Sequence, residues 1–264
     1  MLSPVSDSSD APPPEPSPEG LVPLPAPVPS TLRMTRGRAL AEVVLCSSYP
    51  TQVAAAAALA LLGVAPQTSD GGLNAAFVFG VSTLDALLVV GLVVYLLRRQ
   101  GESLAAVFLG SRPVWREAAF GLALVPIVTI GVAVVVRTAQ ALLPSLHNVA
   151  VNPLTAFMVD PAMAIAFAVM VVLAGGVREE MQRAFQLHRL QHHVSSPRVA
   201  LLVTSVAFGL GHTVQGRDVA LATFGLGLFW GALYLRRQSL VAAGVSHALF
   251  NLMQVWAASR ALAP

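Results

Sequence analysis

Charge is scarce in this sequence, and lysine is absent from it. Only 11% of the 264 residues are charged and 55% are hydrophobic, whereas a soluble domain carries roughly 25% charged residues. All 16 basic residues are arginine, and they lie between apolar runs instead of in one patch. These features disfavour a soluble globule and a nucleic-acid-binding surface, and they predict a protein embedded in a lipid bilayer.

The sequence contains one cysteine, Cys46, which excludes an internal disulfide framework. Residues 1–31 are rich in proline, serine and acidic residues, so they cannot bury enough apolar surface to fold and are predicted to be disordered. This segment also lacks the basic residue and the apolar core of a secretory signal. Residues 32–264 are expected to form one transmembrane domain with a motif-bearing core at about 117–258.

The apolar runs predict an all-α, polytopic transmembrane bundle of about seven spans, with six to eight as the range. A spanning helix needs about 20 mostly apolar residues. The candidate spans are residues 40–65, 73–97, 117–136, 159–177, 198–213, 218–235 and 239–258, of which the fifth is short. If the N-terminus is cytoplasmic, thirteen of the sixteen arginines fall on the cytoplasmic side, which agrees with the positive-inside rule.

Three clusters of polar residues interrupt these spans. Ionisable groups inside a span are costly and are candidates for a functional site. Each cluster alone is more often structural, but all three occur in a chain with few charges. The clusters are Glu179-Glu180 with Arg183 at the end of the fourth run, Phe208-xxx-His212 at the end of the fifth, and His247-xxx-Asn251 inside the seventh.

The spacing of these clusters predicts a catalytic arrangement. A helix break at residues 195–197 would place Glu179 and His212 at equal depth in a helical hairpin, since each lies 16 residues from the break. A carboxylate and an imidazole at one depth can hold a water between them. His247 and Asn251 are four residues apart on one helix face, and both can donate hydrogen bonds to an oxyanion.

Over roughly residues 75–258, the three clusters resemble the motifs of the CAAX-protease and bacteriocin-processing family of intramembrane endopeptidases. That family has a double glutamate with a following arginine, then Phe-xxx-His, then His-xxx-Asn. The second and third motifs match in full. The stretch from Arg178 to Arg183 also resembles the myxosortase branch of the family.

The first motif departs from the family pattern. Two residues separate the glutamates from Arg183, whereas the family usually has three. Either glutamate can therefore be the one that faces the site. We favour Glu179, which lies four residues before Arg183 on the same helix face, and keep Glu180 as the alternative or as a supporting partner.

The resemblance implies an intramembrane endopeptidase that hydrolyses a peptide bond of a membrane-associated protein or peptide, in maturation or in C-terminal sorting-signal processing. In this mechanism Glu179 is the general base on a water shared with His212. His247 and Asn251 stabilise the tetrahedral oxyanion. No cofactor is expected, and a zinc site formed by Glu179, His212 and His247 is the alternative. A proton-coupled transporter and an inactive membrane scaffold or immunity protein are the competing functions.

The expected partners are the bilayer itself and a membrane-anchored protein or peptide substrate, without nucleic acid. Arginine without lysine, together with much alanine and valine, indicates a GC-rich bacterial genome. The expected location is therefore the bacterial inner membrane, with several crossings and a cytoplasmic N-terminus.

Overall fold

The computed structural model describes residues 34–262, so the predicted disordered segment 1–31 lies outside the described residues. This part of the chain is helical and contains no β-strand, which confirms the all-α polytopic bundle. Its α-helices are α1 (Arg36–Leu45), α2 (Tyr49–Leu61), α3 (Ala75–Arg99), α4 (Leu104–Phe108), α5 (Val114–Leu142), α6 (Pro161–Val171), α7 (Glu180–His193), α8 (Pro197–Leu210), α9 (Arg217–Arg237) and α10 (Val241–Leu262). A π-helix, Val172–Glu179, joins α6 to α7.

Within residues 34–262, five helices can cross a bilayer by length and composition, or six if a bent pair counts as one span. The five are α3, α5, α9, α10 and the continuous helix from Pro161 to His193. The pair α1 and α2, bent by 40°, is the sixth. The fifth predicted span is α8, whose 14 residues rise only about 21 Å and do not cover a hydrocarbon core of about 30 Å. Each predicted span thus contains a helix, but not all seven have full length.

A break between α1 and α2 opens the bundle beside the candidate residues. Ser48 adopts a left-handed conformation with φ 67°, which is uncommon for a residue with a Cβ and ends the regular helix. The Ser48 hydroxyl donates to Gln182 of α7 at 2.9 Å. The Tyr49 hydroxyl donates to the Ala207 carbonyl of α8 at 2.9 Å. The break therefore turns polar groups of the first helix pair toward α7 and α8.

The helix from Pro161 to His193 is the central element of the bundle. Its 33 residues extend about 50 Å, which exceeds the thickness of the hydrocarbon core. Asp160 caps its start, since its side chain accepts from the Met163 amide at 2.8 Å. Phe185 and Leu187 are fully buried and pack with residues of α3, including Val93. The helix therefore holds its polar residues at fixed places inside the bundle.

A cluster of charged residues lies around the C-terminal half of α7. Arg189 is fully buried and pairs with Glu42 of α1 at 2.8 Å and with Glu102 of the α3–α4 loop at 2.5 Å. His188 also bonds to Glu102. Burial alone would raise the pKa of Glu102, but the His188 hydrogen bond and the Arg189 charge outweigh it, so this pKa lies below its ordinary value of 4.5. We name Glu42, Glu102, His188 and Arg189 the α7 charge cluster.

Candidate active site

A π-helix carries the first motif to its position. Such wide turns are rare and often occur at functional sites, and this one ends at Glu179. Glycines let α10 approach the π-helix closely. A Cβ on Gly175 would lie 2.4 Å from Asn251 Nδ2. A Cβ on Gly176 would lie 2.6 Å from Ala248 Cβ. The His-xxx-Asn motif of α10 therefore lies directly against the turn that leads to the glutamates.

Glu180 is enclosed by its partners. The residue is 1% exposed, and its Oε1 accepts hydrogen bonds from Arg183 Nη1 and from His247 Nδ1, the latter at 2.8 Å. The Arg183 guanidinium also lies over the Phe208 ring, 4.4 Å from its centroid. A buried carboxylate with two charge-capable donors is a strong anchor. Glu180 therefore fixes α10 to α7 through His247.

The His247 ring is held on three sides. Its Nδ1 donates to Glu180, as described above, and one face stacks on Trp230 with 3.9 Å between ring centroids and 17° between planes. The indole of Trp230 donates to Ser246 at 2.9 Å, which fixes the stacking partner in turn. His247 Nε2 lies 3.7 Å from Glu179 Oε2. The free nitrogen of this ring therefore faces the first glutamate.

Glu179 is not hydrogen-bonded to either of its charged neighbours. Its Oε1 lies 3.6 Å from Arg178 Nη2 and its Oε2 lies 3.7 Å from His247 Nε2, and both distances exceed a hydrogen bond. The Glu179 side chain lines a polar cavity of about 160 Å³, a volume sufficient for several waters. Its oxygens are therefore open to a water in that cavity.

His212 lines the same cavity from the end of α8. Its Nδ1 lies 2.9 Å from the Phe208 carbonyl oxygen. A carbonyl can only accept, so Nδ1 carries the proton in this arrangement and Nε2 is left as an acceptor. The Phe208 ring also contacts the His212 ring at 4.9 Å between centroids. The arrangement provides a carboxylate and an imidazole acceptor on one cavity.

A family model covers the segment in which these residues lie. Residues 161–253 match the model described as type II CAAX prenyl endopeptidase Rce1-like, and the match includes all three motifs. This segment is similar to the Rce1-like family. No curated protein and no solved structure matched the chain. The Rce1-like domain indicates an intramembrane protease of the CAAX type, and the apolar helices around it make the chain a multi-pass membrane protein with the bilayer as its surroundings.

The structure places the three motifs of the Rce1-like domain next to one another, although His247 and Asn251 are not among the residues that line the cavity. Glu179 and His212 share the cavity, as their equal depth in the hairpin predicted. His247 and Asn251 lie beside Glu179 and Gly175. Arg183 bonds to Glu180, three residues before it, and does not form an ion pair with Glu179. The supporting role of Glu180 stays a prediction.

The zinc alternative has no matching geometry in the Rce1-like domain. Among residues 34–262, no group of three or more histidine, cysteine, aspartate or glutamate side chains is arranged to hold a metal ion. In the alternative set, Nδ1 of His247 bonds to Glu180 and Nδ1 of His212 bonds to a carbonyl, so each ring keeps Nε2 for any metal ion. A site without metal stays a prediction.

Sequence reasoning missed a second polar group around Arg178. Asp85 is fully buried and bonds with Thr51, Gln52 and Arg178. No spacing rule links α2, α3 and the π-helix, so no signal in the sequence joined these residues. Trp230, an apolar residue of a span, gave no sign of stacking on a histidine.

Proposed function

We propose that this protein is an intramembrane endopeptidase that hydrolyses a peptide bond of a membrane-associated protein or peptide without a metal ion. The observation that carries the proposal is the shared cavity, because it presents the Glu179 carboxylate and the acceptor nitrogen of His212 to the same water. Hydrolysis needs a base within hydrogen-bond reach of the attacking water. Glu179 is the residue that meets this requirement, since Glu180 is enclosed and does not line the cavity.

In this mechanism Glu179 takes a proton from the water while His212 Nε2 orients it, and the water oxygen attacks the scissile carbonyl carbon. The resulting oxyanion is stabilised by Asn251 Nδ2 and by His247. His247 must then carry both ring protons, so that Nδ1 donates to Glu180 while Nε2 donates to the oxyanion. Glu179 returns its proton to the leaving amine, and the peptide bond breaks.

The proposed substrate is defined only by its class. Maturation or C-terminal sorting-signal processing in a bacterial inner membrane, with the N-terminus cytoplasmic, is the setting that the arginine distribution and residue usage favour. Similarity to the Rce1-like family supports a substrate that is itself held at the membrane.

The test compares the membrane and surface proteome of host cells that express wild type, Glu179→Gln, His212→Ala or Glu117→Gln. Glu117 is the control for a lost buried carboxylate, because it is 1% exposed and paired with Arg237 at 2.7 Å but does not line the cavity. We expect uncleaved precursors in the Glu179 and His212 variants and none in the control. An unchanged proteome in all strains, with normal insertion of every variant, overturns the protease and favours a transporter or scaffold.

A further inference from the structure

Asp85 is a buried carboxylate that the proposed mechanism does not use. It lies on α3 with no exposed surface, and it accepts hydrogen bonds from Thr51 and Gln52 of α2. Its Oδ2 pairs with Arg178 Nη2 at 3.2 Å. An ionisable group inside a span is costly, so its presence points to a function for the pair it forms.

The Arg178 guanidinium has three close partners, and it lies nearer to Asp85 than to Glu179. Nη1 donates to Ser48 and to Gln182, both at 3.1 Å. Nη2 lies between two carboxylates, 3.2 Å from Asp85 and 3.6 Å from Glu179. Only the contact with Asp85 is within hydrogen-bond distance. Nε has no hydrogen-bond partner, so the terminal nitrogens alone determine where the guanidinium lies.

We propose that Asp85 and Arg178 are positioning residues for the Glu179 carboxylate. Asp85 holds the guanidinium close to Glu179 but does not let it bind there. The Arg178 charge then attracts Oε1 of Glu179, which leaves Oε2 turned toward His247 Nε2 and the cavity. This inference rests on the proposed function, in which Glu179 is the base.

In this arrangement Arg178 attracts the Glu179 carboxylate but does not form a direct hydrogen bond with it. Without the Asp85 charge, the guanidinium would be drawn to Glu179, and a carboxylate in a direct charged hydrogen bond is a poorer proton acceptor. Without Arg178, Glu179 would lose the charge that orients it. One cation between two carboxylates leaves a net negative charge, as a residue that must accept a proton requires.

A double-mutant cycle tests the inference. Its variants are Asp85→Asn, Arg178→Gln and the two combined, with Glu179→Gln as the reference for a missing base and Glu117→Gln as the control for a lost buried carboxylate. The probe is a synthetic peptide that spans the cleavage site of a precursor found in the proteome comparison. Initial rates are measured in detergent and divided by the amount of folded protein, which size-exclusion chromatography and thermal melting give for each variant.

We expect Asp85→Asn to lower kcat about 10- to 100-fold with KM within about twofold, because a misplacement of about 1 Å at a reacting group costs up to about 100-fold. Because Asp85 acts through Arg178, the double variant should be no slower than Arg178→Gln alone. Glu117→Gln should melt earlier but keep its kcat per folded molecule.

Three outcomes would overturn the inference. The first is an Asp85→Asn variant that melts earlier yet keeps the wild-type kcat, which is the behaviour of a structural residue. The second is that the effects of the two substitutions on kcat multiply, which means that Asp85 does not act through Arg178. If Glu179→Gln itself cleaves the probe at the wild-type rate, the proposed base is wrong and the inference falls with it. If Glu179→Gln is inactive while Asp85→Asn keeps the wild-type kcat, this inference is rejected and the proposed function stands.

Discussion

Gly175 offers the sharpest test of the oxyanion site, because one added methyl group would fill the space next to Asn251. Its Cβ would lie 2.4 Å from Asn251 Nδ2 and 3.3 Å from His247 Nε2, while ordinary van der Waals contact begins at 3.4 Å. Asn251 must therefore move by about 1 Å, whereas His247 needs to shift by only about a tenth of that. The Gly175→Ala substitution is thus directed at one of the two proposed donors.

The expected effect on folding is small because two contributions oppose each other. Alanine favours a helix by about 1 kcal/mol over glycine, and overpacking a tight contact costs about 1 to 3 kcal/mol. The expected effect on catalysis is large. Loss of one oxyanion donor costs about 100- to 1,000-fold in kcat, and we expect at least about 100-fold for Gly175→Ala with thermal stability nearly unchanged.

The assay measures kcat on the precursor peptide for Gly175→Ala, for Gly225→Ala and for Gly175→Ala combined with Asn251→Ala. Gly225 of α9 is the matched control, because a Cβ there would meet nothing within 4 Å. The combined variant should be no slower than Asn251→Ala alone, since the methyl group acts through Asn251. A Gly175→Ala enzyme with the wild-type kcat would refute the placement of the oxyanion at Asn251.

Three further predictions follow from other parts of the molecule. Asn251→Leu should lower kcat about 100- to 1,000-fold with KM nearly unchanged, and stopped assays over a range of peptide concentrations separate the two constants. Chelators should leave cleavage unchanged, and metal analysis that finds stoichiometric zinc in active protein would contradict this. Glu102→Gln should lower the melting temperature at pH 7, because the folded-state pKa of Glu102 is depressed and its charge therefore stabilises the folded state above the unfolded pKa of about 4.5. That difference should fade as the pH falls below about 4.5, and melting curves from pH 7 to pH 3 would show whether it does.

The helical bundle could be predicted because in lipid every backbone group must bond within its own segment, so apolar length alone identifies a span. That rule does not fix the length of each helix, and α8 has 14 residues where a full span was expected. The equal spacing of Glu179 and His212 from the predicted break at 195–197 predicted that the two would lie at one depth, because antiparallel helices bring residues of equal depth together.

The choice between the two glutamates needed the structure. Residues three and four positions apart lie on the same face of a helix, so Arg183 could have met either carboxylate. The decision comes from α10, which brings His247 to Glu180 and encloses it. The π-helix could not be predicted from the sequence either. Its wide turns depend on the close packing of Gly175 and Gly176 against α10 and not on a local preference.

The central helix sets a fixed distance between Glu179 and the α7 charge cluster. Ten residues of helix separate Glu179 from Arg189, which sets the base about 15 Å from the α7 charge cluster. Charged groups are costly in the hydrocarbon core, so we expect the cluster at its edge, and in the proposed mechanism the depth at which a bond is cut is then the same in bilayers of different thickness. An extended chain covers this depth in about five residues. Cleavage sites should therefore cluster at that offset from the membrane boundary of each substrate, whatever their local sequence.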